Sequence, residues 1–293
     1  MEDATIIKEL RALVSLLDEP DEGFLEQIQE KIFTYGTQAV PFLENAWENS
    51  FNSILQSRIE NIIHKIQFDN IYVELNNWYH FGAKNLFLGH FLLSKYQYPE
   101  IDETIIIKQI DAIAKDVWLE LNDNLTFFEK IKVINHILFE VHGFGGNLLN
   151  FHSPQSSYIN TLLETKKGNS LSLGMLYIII AQKNNLPVFG VNLPEHFILA
   201  YTNQLLEDNI SFVSEKEVLF YINPFNKGAV FSKKEIDSFV KQLKLKPDKS
   251  YYYPTENEGI IKRMIYNLIY SYKKSNDTSK VEELEILLNI FIK

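Results

Sequence analysis

The stretch from 170 to 183, SLSLGMLYIIIAQK, restricts the fold more than any other part of the chain. Its interior is apolar on nearly every side, and a helix of that kind must be buried all round. Within the next forty residues the periodicity changes. Residues 188–191, 197–201 and 218–222 are short runs of branched and aromatic residues bounded by Asn, Pro and Gly, which read as β-strands. One buried helix followed by a small set of strands defines an α+β unit.

On both sides of this unit the chain reads as helix. Near the N-terminus, Phe24, Leu25, Ile28 and Ile32 recur at helical spacing, with Gly36 placed to stop that helix. A second stripe is Val40, Phe42, Leu43 and Trp47, where Pro41 near the start costs no hydrogen bond. A third runs through Ile54, Leu55, Ile59, Ile62, Ile63 and Ile66. Three further helices are expected at 83–95, 102–121 and 126–139, the last opened by a capping box of Thr126 and Glu129. A polar loop follows Gly146, over 147–157. The C-terminal part carries one stripe of Ile260, Ile261, Met264, Leu268 and Tyr272, a turn at 275–277, and a second stripe of Val281, Leu284, Leu287 and Leu288. The expected organisation is a HEAT-like helical region over 1–70, an α+β domain over 71–250, and an αα-hairpin similar to one tetratricopeptide (TPR-like) unit over 251–293.

Composition excludes several chemistries. The net charge is -10, whereas nucleic-acid binding needs clustered Lys and Arg to displace counterions. No cysteine is present, so disulfides, thiolate metal sites and thiol catalysis are ruled out. The opening residues, Met1 to Ala4, lack the basic and apolar regions of a signal peptide, and the longest apolar run, 175–181, is far short of the roughly 20 residues that span a bilayer. The reading is a cytoplasmic protein with no membrane and no nucleic-acid partner, and with no cofactor or metal. His136, Glu140 and His142 lie close enough to suggest zinc, but the same spacing suits the polar face of a helix end.

Three short segments carry candidate chemistry. Lys167-Gly168-Asn169-Ser170 opens the buried helix: Asn169 or Ser170 caps it, or Ser170 is a nucleophile at the positive end of the helix dipole. His196 stands where a turn enters a strand, and Asn223 ends the next strand. A hydroxyl, a histidine and an amide in that chain order suit a triad.

Residues 158–225 resemble the core of transglutaminase-like proteins of the bacterial SirB type. The resemblance rests on Tyr158-Ile159-Asn160, Lys167-Gly168, Leu173-Gly174-Met175-Leu176-Tyr177, Asn185-Leu186-Pro187-Val188, Gly190-Val191, Pro194-Glu195-His196-Phe197, and Asn223-Pro224-Phe225 with Gly228. Phe139-Glu140, Gly143-Phe144 and Gly146-Asn147 before the core, and Arg263-Met264 with Asn267-Leu268 after it, extend the likeness to almost the whole chain. It implies a papain-like core whose cysteine, histidine and aspartate form a catalytic triad. Those positions fall on Ser170, His196 and Asn223, with Ser172 a second choice for the nucleophile because its spacing from Pro187 is two residues short. Glu195 stands where that type usually has glycine.

Serine lacks the accessible thiolate of cysteine, and asparagine in place of an orienting aspartate costs a serine triad about 10⁴ in turnover. The expected function is therefore that of a pseudoenzyme, a non-catalytic or weakly active module binding a protein or peptide. In such a site Asn223 would accept a hydrogen bond from one imidazole nitrogen while Ser170 donates to the other. The alternative is a serine-dependent hydrolase or acyltransferase acting on peptide or amide substrates.

Overall fold

A computed structural model describes residues 2–149, 153–203 and 217–292. Part of the loop expected over 147–157 lies outside the described residues. The chain divides into two compact units, residues 1–76 and 77–293.

The first unit is built from helices α1 (Glu2–Val14), α2 (Glu22–Phe33), α3 (Val40–Glu48) and most of α4 (Ser53–His80). Asp21 caps α2 by accepting from the Phe24 N–H at 3.0 Å. The Arg58 guanidinium donates to the carbonyl oxygens of Leu17 and Glu19 beyond the end of α1. Leu10, Leu17, Leu25, Ile28, Ile32, Leu43, Ile59 and Ile62 fill the core. Phe24, Trp47 and Ile54 sit in the expected stripes yet are exposed. A periodic stripe is wider than the face that finds a partner, so its edge residues stay in solvent. With no glycine or proline between 53 and 80, α4 continues unbroken through residue 70.

The second unit is α+β and predominantly helical. After α5 (Leu86–Gln97) and α6 (Glu103–Glu120), α7 (Phe127–Asn135) begins with the expected capping box of Thr126 and Glu129. It runs into a π-helical turn, His136–Val141. Strand β1 (Gly145–Gly146) pairs in parallel with β2 (Lys167–Gly168), with α8 (Ile159–Thr165) between them. Then comes the buried helix, α9 (Ser170–Lys183). Strands β3 (Val188–Asn192), β4 (Phe197–Thr202), β5 (Val218–Asn223) and β6 (Ala229–Phe231) form one antiparallel sheet in sequential order. Helices α10 (Lys233–Gln242), α11 (Asn257–Lys274) and α12 (Thr278–Asn289) complete the unit.

Helix α9 packs against β3 and β4, and Leu173, Leu176, Ile180 and Phe197 are all buried. Close approach at two glycines makes that packing possible. A Cβ on Gly174 would stand 2.6 Å from the Phe197 ring, and one on Gly190 would stand 2.4 Å from it. The ring is thus wedged between helix and sheet. The strands β1, β2 and β6 have no sequence signal, because two- and three-residue strands show no periodicity, whereas α8 spaces Ile159, Leu162 and Leu163 as a helix does but over only seven residues.

Candidate functional site

The start of α9 is anchored by a polar scaffold. Asn169 Oδ1 accepts from the N–H groups of Leu171 and Ser172, and Ser172 Oγ accepts from the Asn169 N–H in return. This reciprocal cap satisfies donors that a helix start leaves free. The Asn169 Nδ2 donates to Ser157 Oγ at 2.9 Å, and Ser172 Oγ donates to the Ser156 carbonyl at 2.6 Å. Behind Ser157 lies His90, fully buried, whose Nε2 is 2.8 Å from the Ser157 carbonyl. A carbonyl only accepts, so Nε2 carries the proton and Nδ1 holds a lone pair with no partner among the described residues. Burial lowers the His90 pKa to about 4.

Ser170 follows the cap as the first residue of α9, and its Oγ lies 3.5 Å from the Phe197 N–H. His196 directly precedes β4. It is held by a three-residue turn in which its N–H donates to the Pro194 carbonyl at 2.7 Å, with Glu195 at the centre at φ +61°. That left-handed conformation is strained for a residue with a Cβ and is the one glycine adopts freely. It gives a physical reason for a glycine preference at this position. The His196 ring lies 5.2 Å from the ring of Phe239.

Ser170 and His196 line one cavity of about 470 Å³, together with Asn169 and Glu195. Its other wall is a face of α11: Arg263, Asn267, Tyr270 and Ser271. Those four follow helical spacing, so one stripe of α11 turns to the cavity while Ile260, Ile261, Met264 and Leu268 are buried. In the sequence Arg263 and Asn267 stand out only through the resemblance, not as site residues. The signal was a polar stripe beside an apolar one on the same helix. Arg263 Nη1 donates to the Leu193 carbonyl at 2.9 Å and faces Asn192 Oδ1 at 3.4 Å. Burial lowers its pKa to about 10, which leaves it charged at neutral pH.

Asn223 stands at the end of β5 and does not line this cavity. Its Oδ1 accepts from the N–H groups of Phe225 and Asn226, both at 3.1 Å. Asparagine before proline at a strand end forms such a side-chain turn readily, and both oxygen lone pairs are then used. The expected acceptance from the imidazole is therefore not made. Among the described residues no hydrogen bond joins Ser170, His196 and Asn223. Ser172, fully buried, is turned into the cap and away from the cavity. His136 Nδ1 meets Glu140 and His142 Nε2 meets Asp116, each at 2.8 Å, so the two histidines face different carboxylates. Among the described residues no group of three potential ligands is placed to hold a metal, and no helix is long and apolar enough to cross a membrane.

A family model described as Transglutaminase-like superfamily matches residues 105–266, more than half of the chain. A UPF0162 protein of Xylella fastidiosa is 25% identical over 150 residues, covering 51% of this chain and 49% of the relative. A UPF0162 protein of Vibrio cholerae is 23% identical over 190 residues, covering 63% and 65%. F-box only protein 21 of the mouse is 22% identical over 162 residues, or 55% of this chain and 25% of that protein. The chain thus spans about half the length of the first of these relatives and a quarter of the last. No solved structure matches it significantly.

Proposed function

The chain belongs to the transglutaminase-like superfamily, and from that premise we propose that it is a protein- or peptide-binding module whose Ser170, His196 and Asn223 hold the triad positions without forming a triad. The observation that carries this reading is the Asn223 carbonyl, committed to two backbone N–H groups instead of to an imidazole. Without that acceptor no group among the described residues fixes the tautomer in which His196 could take a proton from serine. The serine hydroxyl, far less acidic than a thiol, depends wholly on such a base.

The reading extends to the flanks. Helices α1 to α4, with their own core, are taken as a HEAT-like region, and α11 with α12 as a TPR-like hairpin; both shapes suit protein contacts. The location that fits this reading is the cytoplasm.

A serine-dependent hydrolase or acyltransferase is the second reading, favoured by one fact: Ser170 and His196 share a cavity at a helix N-terminus. A fluorophosphonate probe separates the two. Under the binding-module reading the protein is not labelled and turns over neither a generic ester nor a peptide amide. Labelling that vanishes in Ser170→Ala would establish the hydrolase instead.

A further inference from the structure

Arg263 has an unusual setting. It is half-buried against the core of the second unit, and among the described residues no carboxylate lies within ion-pair distance of it. A guanidinium withdrawn from water normally has an anion beside it, because the lost hydration must be replaced. Here the replacements are partial. Nη1 donates to the Leu193 carbonyl at 2.9 Å and to Asn192 Oδ1 at 3.4 Å, and the Phe197 ring lies 5.7 Å from the guanidinium carbon. Nε and Nη2 make no hydrogen bond to the described residues. These two nitrogens form the side edge of the fork, whose parallel N–H groups match the two oxygens of a carboxylate. The anchored nitrogen fixes the plane of the group, so little side-chain freedom would be lost on binding.

The surroundings fit an organic ligand better than a bare ion. At about 470 Å³ the cavity lies in the range of small-molecule or peptide-residue pockets. Its walls offer Asn169, Asn267 and Ser271 as hydrogen-bonding groups and Tyr270 as an aromatic surface. Glu195, the one carboxylate on the lining, is exposed, so solvent screens its repulsion of an incoming anion.

We propose that this cavity receives a carboxylate carried by a peptide, either a C-terminus or an acidic side chain, and that the Nε and Nη2 groups of Arg263 bind it. The proposal rests on the peptide-binding reading above and names the group recognised. The test is titration of the full chain, followed through the Arg263 Nε–H signal in nitrogen-15 NMR spectra. The probes are N-acetylalanine for a C-terminal carboxylate, N-acetylglutamic acid α-amide for a side-chain carboxylate, and N-acetylalaninamide as the neutral control. Saturable movement of the Arg263 signal with either acid and none with the amide is expected, and the responding acid identifies the source. Arg263→Lys keeps the charge but not the fork and should bind at least about fivefold more weakly, since a bidentate pair becomes a single contact. Arg263→Gln should not bind.

Because Arg263 also holds Leu193, the variants are compared only after thermal melts show them folded; the wild-type titration alone can overturn the proposal. No saturable shift, equal response to the neutral amide, or unchanged affinity in Arg263→Lys would each do so. None of these results bears on fluorophosphonate labelling, so the proposal can fail while the binding-module reading stands. Labelling of Ser170 would equally leave carboxylate binding intact.

Discussion

The guanidinium of Arg263 lies over the ring of Phe197, and that ring fills the space left where Gly174 and Gly190 lack side chains. The position of the cavity's cation therefore depends on two glycines that do not line the cavity. Gly190→Ala places a methyl group 2.4 Å from the ring, so Phe197 must move. Overpacking of this kind costs about 1–3 kcal/mol. Denaturant melts should show that loss, together with a shifted Arg263 Nε–H signal. A variant as stable as wild type would mean that the ring has room to yield.

Leu176, 1% exposed on α9, tests the centrality of this helix. Leu176→Ala should destabilise the protein by about 2–5 kcal/mol through lost burial and the cavity left behind. A thermal melt showing less than about 1 kcal/mol would place the main core elsewhere.

His90 gives the second unit an acid limit. Its pKa is lowered from 6.5 to about 4 by burial, so the folded state prefers the neutral ring. Above pH 6.5 the ring is neutral in both states and stability is complete. Between pH 6.5 and 4 the unfolded chain gains a proton that the folded chain does not, and stability falls with pH. The full difference corresponds to about 3 kcal/mol. His90→Asn should be less stable at pH 7.5 and should show a flatter pH dependence over this window. An equally steep slope in the variant would assign the acid sensitivity to other groups.

Glu195 carries strain where the chain turns into β4. At φ +61° a side chain costs about 1 kcal/mol that glycine does not incur. Glu195→Gly should therefore leave the melting temperature unchanged or raised, against the loss normally seen when a surface residue becomes glycine. A clear drop would show that the Glu195 carboxylate contributes more than its backbone conformation costs.

Restoring the triad chemistry should need two changes. Asn223→Asp alone should not yield peptide amide hydrolysis, because serine remains a poor attacker and the side-chain turn still claims an oxygen. Ser170→Cys with Asn223→Asp supplies an accessible thiolate and a second carboxylate oxygen for the imidazole. It should hydrolyse p-nitrophenyl acetate faster than either single variant. A double variant no faster than Ser170→Cys alone would mean that residue 223 lies out of reach of His196.

Local signals were enough for much of this protein. The apolar stretch 170–183 had to be a buried helix, and the Thr126–Glu129 capping box and the strands at 188–191, 197–201 and 218–222 followed from spacing and residue type. The resemblance carried by short motifs placed Ser170 and His196, and both line the same cavity. Helix periodicity and capping act over a few residues, so the sequence contains them directly. What tertiary structure alone decided is which groups meet. Asn169, not Ser170, caps α9, because Ser157 stands ready to hold its amide. Asn223 spends its oxygen on its own turn, on two backbone N–H groups at 3.1 Å. Arg263 reaches the site from more than sixty residues away, since α11 packs its apolar stripe into the core and thereby turns its polar stripe to the cavity. The Ser157 and Arg263 contacts depend on how faces pair across the chain, and no short window of sequence holds both partners; the Asn223 turn is local, and what the fold decides there is that the turn takes the oxygen.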